Sequence, residues 1–464
     1  MLTSIKKVTV SAPGKILLAG GYLVLESPNT GLVLAVDKRF YTTATFEFDQ
    51  TASAHVKIDV NSPQFGQTWK YLYNSVTLTL SADASNNSVN LFIEKSLRVS
   101  LLYLLTAKED CLCRITLDIQ ADNDFYSLIP HLQERGLDRS LKSVELLPPF
   151  LPATTSGPDG NVLKTGLGSS ACLVTSLVGS LCYACNQPSV IYNLAQISHC
   201  HAQGKVGSGF DVSAACHGSH VYRRFPEYLL ADLLRELDKT KSEIKHVQAI
   251  LRAIVQKTWT GGVAAPIRLP AILQIMLADV SGGSESPSMA RRVLKWRKGF
   301  GNGNAPHWHK LAEINRQVVD RLEHIGAIPI DHAEIERLAN CSMEQWCAHD
   351  KIEESLISLR NALQAARKEL KALGVAAKVP VEPEEQTQLI EATLALPGVI
   401  GALVPGAGGH DALACVYVNT EGARRRIGNM WANWEKARVC PLATQGVNFN
   451  EGLRVESAPI RNKS

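Results

Sequence analysis

The fold is decided by one stretch rich in glycine and serine, Lys164-Thr165-Gly166-Leu167-Gly168-Ser169-Ser170-Ala171. An apolar segment with helical spacing follows, so the stretch predicts a tight turn that opens a helix, with Ser169 or Ser170 as the N-cap. Glycines let the backbone approach an anion, and the free N–H groups and dipole of a first helical turn favour negative charge. The stretch lacks the Walker A spacing. It indicates a phosphate site or, alternatively, a helix cap with glycines for close packing.

Three further segments supply lysine, aspartate and glycine to such chemistry. Lys15 stands among apolar residues, where an ammonium group needs an anionic partner unless it snorkels from a strand edge. Asp211 ends a segment that also contains Lys205 and three glycines. Beside Lys15, Asp211 would stay ionised and oriented as a base; the alternative is a helix cap or turn residue. The loop Pro405–Ala412 would cradle phosphate through its N–H groups or serve as a flexible turn.

Composition excludes several classes of protein. The 464 residues are 45% hydrophobic and 20% charged, as in globular proteins, and 48 basic against 44 acidic residues leave a formal net charge of +4. That balance does not favour nucleic acid, and we interpret the basic clusters Arg291–Lys298 and Arg424–Arg426 as solvated faces. The uncharged run Thr165–Ser198 is broken at Asn186-Gln187-Pro188, so we expect a buried helix with loops and no membrane span.

Cysteine usage and the chain ends bear on location. Eleven cysteines without a tight framework indicate reduced thiols. The N-terminus lacks the pattern of a secretory signal, and Arg461-Asn462-Lys463-Ser464 is not a Ser-Lys-Leu peroxisomal address. We therefore expect a cytoplasmic protein, with peroxisomal import by another signal left open.

A zinc site is the alternative reading of the central cysteines and histidines. His199, Cys200 and His201 stand near Cys182-x-x-Cys185, but adjacent residues of a helix point apart and no second cysteine pair has finger spacing. We expect these cysteines to be small core residues instead.

The hydrophobic patterns predict strands and helices in both halves, and hence an α+β protein with two domains, 1–230 and 231–464. The predicted strands are 8–11, 16–18, 41–48, 115–119, 272–280, 399–404 and 413–418. The predicted helices are one that opens at Ser169, then 190–201, 343–373 closed by Gly374, and 388–396.

The order of the motifs resembles the GHMP kinases, named for galactokinase, homoserine kinase, mevalonate kinase and phosphomevalonate kinase. Within that family the sequence is most similar to the eukaryotic members that act on 5-phosphomevalonate. The strings that carry the resemblance span almost the whole chain and are Pro13–Lys15, Ala19–Leu25, Asn123–Ser127, Lys164–Ala171, Gln203–Asp211, Asp279–Met289 and Val404–Ala412.

The resemblance implies the GHMP kinase fold, with an N-terminal domain like ribosomal protein S5 (the ATP-binding domain), a C-terminal ferredoxin-like domain and the active site between them. It implies ATP and Mg²⁺ as cofactors and 5-phosphomevalonate as the substrate, which is converted to 5-diphosphomevalonate on the mevalonate route to isoprenoids. We expect small-molecule partners only, without nucleic acid or membrane, and a monomer or a homodimer.

The resemblance also implies roles for single residues. Lys15 and Asp211 would be the catalytic pair, and Ser169 or Ser170 would help to hold Mg²⁺ through ATP. The implied ATP-binding residues are Lys164, Thr165, Gly166, Leu167, Gly168, Ser169, Ser170, Ala171, Gly406 and Gly408. The implied substrate-binding residues are Lys15, Tyr22, Lys205, Ser208, Ser284, Ser288 and Arg291. The loop Gly406–Gly409 would close over the phosphates.

One departure and three alternatives accompany this interpretation. Mevalonate kinases carry a metal-binding glutamate in the helix before the Gly-Ser-Gly-Phe-Asp string, whereas Ser198–Gln203 contains no acid. The metal would then depend on a serine hydroxyl, ATP oxygens and Asp211. The alternatives are a mevalonate kinase, a diphosphomevalonate decarboxylase, or a sensor that binds ligands without turnover. A sensor would be expected to have lost the lysine, the aspartate or the loop serines, which are all present.

Overall fold

The structure is a computed structural model that describes residues 2–49, 54–105, 111–156, 161–238, 244–280, 286–301, 305–346, 348, 350–410 and 412–457. In these residues the strands are β1 (Leu2–Ala19), β2 (Thr30–Asp49), β3 (His55–Ser62), β4 (Gln67–Asn74), β5 (Thr79–Ala82), β6 (Leu112–Ala121), β7 (Thr155–Ser156), β8 (Asn161–Val162), β9 (His220–Arg223), β10 (Gly262–Pro266), β11 (Leu273–Val280), β12 (Val399–Leu403), β13 (Ala412–Val418), β14 (Val439–Pro441), β15 (Gly446–Val447) and β16 (Arg454–Val455).

The helices are α1 (Leu91–Leu104), α2 (Ile129–Glu134), α3 (Leu141–Glu145), α4 (Ser169–Ala184), α5 (Ile191–Gln203), α6 (Phe210–His217), α7 (Tyr228–Leu237), α8 (Ile244–Gln256), α9 (Ser286–Lys298), α10 (Trp308–Gly326), α11 (His332–Asn340), α12 (Lys351–Ala376), α13 (Glu384–Leu394) and α14 (Glu421–Ala432). Strands and helices mix in both halves of the chain, which confirms the α+β class.

The larger sheet is built on the long antiparallel pair β1 and β2, and its main path runs β10-β9-β2-β6-β3-β4-β5. The two strands predicted at 8–11 and 16–18 are parts of the single strand β1. A shift in the β1–β2 register between Pro13 and Lys15 absorbs the proline, which has no N–H to donate. The N–H of Lys15 donates instead to the carbonyl of Leu167 at 3.0 Å. This irregularity attaches β1 to the glycine-rich turn.

A layer of helices covers the larger sheet, with α4 packed on β1 and β2 and in contact with α1, α5 and α6. Nearly all of α4 is buried, which explains why the sequence around it carries no charge. The prediction that Ser169 or Ser170 caps α4 is wrong. The N-cap is Gly168, in the left-handed conformation with φ 83°, and both serines lie inside the first turn.

The smaller sheet is antiparallel, in the order β12-β13-β11-β14. Helices α12 and α13 pack on β12, and α14 packs on β14. The prediction of one helix over 343–373 closed by Gly374 is wrong. A short 3₁₀ helix occupies Met343–Gln345, and α12 begins after its cap Asp350 and passes through Gly374. A Cβ at Gly374 would lie 2.6 Å from a methyl of Val381, so this glycine serves close packing and does not end the helix.

Residues from both sides of position 230 build the larger sheet. β10 pairs with β9, while the late strands β15 and β16 pair with β2 and β1. The division of the chain into 1–230 and 231–464 stays a prediction. Within the described residues, no helix combines the length and the apolar composition needed to cross a bilayer.

Candidate active site

The glycine-rich turn and Lys15 form one unit. Gly166 and Gly168 have φ values of 80° and 83°, which glycine adopts without steric cost. The Lys15 Nζ donates to the carbonyl of Gly166 at 2.8 Å and lies 5.6 Å from the ring centre of Phe210. A Cβ at Gly168 would lie 3.1 Å from the Lys15 Cε, so the turn fits closely around the lysine side chain. The structure therefore fixes an ammonium group at the start of a buried helix.

The turn separates two cavities. The first, here the lysine cavity, has a volume of about 260 Å³ and includes Lys15, Tyr22, Thr165, Gly166, Lys205, Gly207, Ser208, Phe210, Gly406, Gly408 and Ala412 in its lining. The second, here the aromatic cavity, has a volume of about 160 Å³ and includes Phe65, Trp69, Asn90, Phe92, Tyr126, Lys164, Ser169, Ser170 and Leu173 in its lining. Successive residues of one turn thus face two different spaces.

Polar and aromatic groups of the aromatic cavity are fixed by their own contacts. The Trp69 indole N–H donates to the Ser88 hydroxyl at 3.1 Å. The side-chain oxygen of Asn90 accepts from the N–H groups of Phe92 and Ile93 and thereby caps α1. This cavity combines flat apolar faces with a helix start, as a site for an aromatic base attached to phosphates requires.

Asp211 lies in the first turn of α6, half-buried. Its Oδ1 accepts from the N–H of Val212 at 2.9 Å, and its Oδ2 lies 3.9 Å from the Nε2 of His199. Asp211 and Lys15 act electrostatically on the same buried thiol, Cys172. Burial raises the pKa of Cys172, Lys15 lowers it and Asp211 raises it. Lys15 also lies against the ring of Phe210, the residue before Asp211, so the two predicted catalytic groups lie in the same region of the fold.

Arg224 holds one wall of the lysine cavity, although no sequence motif indicates it. Its guanidinium donates to the carbonyls of Val206 and Gly207 at 3.0 and 2.8 Å, and to the carbonyl of Leu25 at 2.6 Å. These bonds join the segment that carries Lys205 and Ser208 to the 3₁₀ helix Gly21–Leu25. A buried arginine with several backbone acceptors has no short-range signature in a sequence.

The late glycine loop forms another wall. The Tyr22 hydroxyl donates to the carbonyl of Ala407, and burial raises the pKa of Tyr22. The N–H of Gly406 donates to the carbonyl of Leu17 at 3.3 Å. At Gly408, φ is 82° and a Cβ would lie 2.3 Å from the carbonyl oxygen of Val381. The loop is thereby held against β1, with Gly406 and Gly408 facing the lysine cavity.

The structure brings together many of the predicted site residues and leaves some apart. Leu167 and Ala171 are buried in the core and can offer a ligand only their backbone. Ser288 lies on α9, partly buried, and Arg291 is exposed on the same helix. Neither lines the lysine cavity, whereas their neighbour Ala290 does. Ser284 lies outside the described residues.

His199 is the second group that the sequence analysis did not place in the site. The sequence indicates His199 only as an alternative zinc ligand beside His201. The Nε2 of His199 lies 3.1 Å from the Ser170 hydroxyl, while the Nε2 of His201 lies 2.8 Å from the Asp238 carboxylate. The two histidines therefore serve different partners. No group of three or more His, Cys, Asp or Glu able to hold a metal exists in the part of the chain that the structure describes.

The fold and the glycine-rich turn define a small-molecule kinase of the GHMP class, and the family model of the GHMP kinases N terminal domain matches residues 155–219. A peroxisomal phosphomevalonate kinase of Arabidopsis thaliana is 32% identical over 465 residues, covering 90% of this chain and 91% of the relative. A phosphomevalonate kinase of Aspergillus fumigatus is also 32% identical and covers 92% and 90%. The chain belongs to the phosphomevalonate kinase family.

Solved structures agree on the fold. A phosphomevalonate kinase of Streptococcus pneumoniae, in complex with phosphomevalonate and AMPPNP, has a TM-score of 0.58 and 15% identity, covering 95% of this chain and all of that one. A mevalonate kinase of Methanococcus jannaschii has a TM-score of 0.51 and 10% identity, covering 96% and 99%. At these identities the likeness establishes the GHMP fold.

Proposed function

We propose that the protein transfers the γ-phosphoryl group of ATP to the phosphate of 5-phosphomevalonate, giving ADP and 5-diphosphomevalonate. One observation carries this proposal beyond family membership. A turn with phosphate-binding chemistry separates a cavity with two lysines from a cavity with aromatic walls. Each anionic substrate thus has a space of its own, with the turn as their common wall.

The aromatic cavity is our proposed place for the adenine base. Trp69 and Phe92 offer faces for stacking, and the first turn of α4 begins at its edge with Ser169 and Ser170. From there the triphosphate would follow the N–H groups of the turn towards Gly166. The terminal phosphate would reach the lysine cavity, where Gly406 and Gly408 are part of the lining.

The lysine cavity is our proposed place for 5-phosphomevalonate. Lys15, Lys205 and Ser208 line it and would gather two anions against their mutual repulsion. The second ionisation of a phosphate monoester falls near pH 6, so the acceptor is largely ionised at neutral pH. An acceptor oxygen attacks the γ-phosphorus while the bond to the β–γ bridging oxygen breaks, and ADP leaves with the electron pair. Lys15 and Asp211 would therefore align and stabilise charge, with little need for a strong base.

The side chains near the turn fit Mg²⁺. Ser169, Ser170 and Asp211 offer hydroxyl and carboxylate oxygens, and Mg²⁺ is usually held by one or two carboxylates together with substrate phosphates and waters. We propose that Ser170 and Asp211 supply the protein ligands. When bound, Mg²⁺ supplies charge neutralisation on the nucleotide oxygens.

An ADP-release assay with separate acceptors tests the function. With Mg-ATP, we expect turnover of 5-phosphomevalonate and at least about 10³-fold lower kcat/KM for mevalonate, because a site built for a charged group rejects the analogue without it. 5-Diphosphomevalonate should give no turnover. Turnover of another acceptor would keep the fold and contradict the substrate. Nucleotide binding without any turnover would support the sensor.

The structural observations favour the kinase over the sensor and over mevalonate kinase. Lys15, Asp211 and the loop serines are present and lie around one turn. Lys205 gives the lysine cavity a second cation, which a phosphorylated acceptor would use and mevalonate would not.

We further propose that the protein acts as a monomer or a homodimer, which sedimentation would distinguish. The name of the Arabidopsis relative matches the peroxisomal location that the sequence analysis left open.

A further inference from the structure

His199 lies against two residues that line the aromatic cavity, Phe92 and Ser170, and lines neither cavity itself. It is on α5, and the residue is only 2% exposed. Its ring centre lies 5.6 Å from that of Phe92, at an interplanar angle of 30°, and Phe92 lines the aromatic cavity. Its Nε2 lies 3.1 Å from the Oγ of Ser170 and 3.9 Å from the Oδ2 of Asp211. One buried nitrogen therefore faces the serine of the turn and the carboxylate of α6.

The surroundings decide how this nitrogen bonds. A neutral imidazole carries a proton on only one of its ring nitrogens, and a protonated imidazole carries one on both. A lone pair on Nε2 would point towards the negative charge of Asp211, whereas an N–H there is attracted by it. The favoured tautomer has the proton on Nε2. Its N–H then donates to the hydroxyl oxygen of Ser170.

This bond determines what Ser170 can offer to a ligand. A serine hydroxyl has one proton and two lone pairs, and its rotation is otherwise free. With one lone pair occupied by His199, the hydroxyl proton is left to donate into the aromatic cavity that Ser170 lines. The remaining lone pair is available to a cation. The hydroxyl is thereby set in advance to donate to a nucleotide phosphate oxygen.

We propose that His199 is a positioning residue for nucleotide binding, acting through the Ser170 hydroxyl that it fixes by a hydrogen bond. This proposal rests on the proposed function for the identity of the nucleotide. It predicts effects on ATP and ADP that do not extend to 5-phosphomevalonate, because His199 packs on the aromatic cavity and not on the lysine cavity.

The test is a double-mutant cycle in which ADP affinity is measured by calorimetry with Mg²⁺ present. His199→Phe keeps a ring beside Phe92 and removes the hydrogen bond, and we expect about tenfold weaker ADP binding. His199→Gln can donate from a similar position and should restore most of the affinity. In the Ser170→Ala background, His199→Phe should have little further effect, because the group through which His199 acts is already absent. Steady-state rates should show a raised KM for ATP and an unchanged KM for 5-phosphomevalonate.

His201→Gln is the matched control. His201 is another buried histidine of α5, and its Nε2 bonds Asp238 instead of the turn. We expect ADP affinity within about twofold of the native value for this variant, and thermal melting of each variant would verify the fold. The proposal would be overturned if His199→Phe weakened ADP binding equally in the native and the Ser170→Ala backgrounds, or if His199→Gln did not restore affinity. Either result would mean that His199 contributes only packing. If the native protein did not turn over 5-phosphomevalonate, the proposed function would be refuted. The double-mutant cycle on ADP affinity would still decide the role of His199.

Discussion

Replacing Lys15 by methionine is expected to lower kcat with 5-phosphomevalonate by roughly 10³-fold, with a folded protein that still binds ADP. The methionine retains the length of the side chain and removes the ammonium group that donates to Gly166 and lines the lysine cavity. Loss of one preorganised charge-stabilising donor in a site shielded from water costs about 10² to 10³ in rate, and a full positive charge belongs at the upper end. Initial rates of ADP release at saturating substrates measure the effect.

Lys6→Met is the control for this prediction. Lys6 lies on the same strand, and its Nζ donates to the side chain of Asn186 at 3.0 Å, far along β1 from the turn. We expect kcat within about twofold of the native value, since a partly exposed polar contact contributes little to the site. A Lys15→Met protein with nearly native kcat would show that Lys15 serves the structure of the turn and not the transfer.

The second large effect is expected from Asp211→Asn, which should lower kcat by about 10²-fold. Asparagine preserves the side-chain oxygen that accepts from the N–H of Val212, so this local contact remains and only the carboxylate charge is lost. Because the acceptor phosphate is already ionised, the residual rate should vary with pH in the same way as the native rate. The measurement is kcat between pH 6 and 9 for both proteins.

Asp238→Asn is the control variant. The Asp238 carboxylate lies beside the buried His201, just as the Asp211 carboxylate lies beside the buried His199. The Asp238 carboxylate bonds His201 and Lys95, neither of which lines the two cavities, and we expect little change in kcat. If Asp211→Asn instead acquired a new, steep pH dependence, Asp211 would be a proton acceptor in the rate-limiting step, and the role in alignment would be wrong.

Local sequence patterns predicted strands, helices and the motifs of the candidate site. The alternation at 115–119 predicted part of β6, and the glycines and apolar spacing predicted the turn and α4. The errors arise where long-range packing overrides a local signal. Gly374 resembles a helix end, but a close contact with Val381 keeps it inside α12. Pro13 resembles a strand end, but a register shift absorbs it within β1.

The residues of the candidate site divide in the same way, into those with a local sequence signal and those placed by long-range packing. Residues in recognisable strings, such as Lys15, Lys205 and Ser208, lie around one cavity. His199 and Arg224 have no such string, since their roles depend on tertiary distances to Ser170 and to the carbonyls of distant segments. The sequence also could not separate the two cavities, because Thr165 and Gly166 line one cavity while Ser169 and Ser170 of the same turn line the other.

The central claim is that the turn Lys164–Ala171 separates the place of ATP from the place of 5-phosphomevalonate. The most direct test is a crystal structure of the protein with AMPPNP and 5-phosphomevalonate. We expect the adenine between the aromatic side chains near Trp69, the triphosphate along Gly166–Ser170, and the acceptor phosphate within hydrogen-bond reach of Lys15 and Lys205. An adenine in the lysine cavity, or an acceptor phosphate away from Lys15, would contradict it.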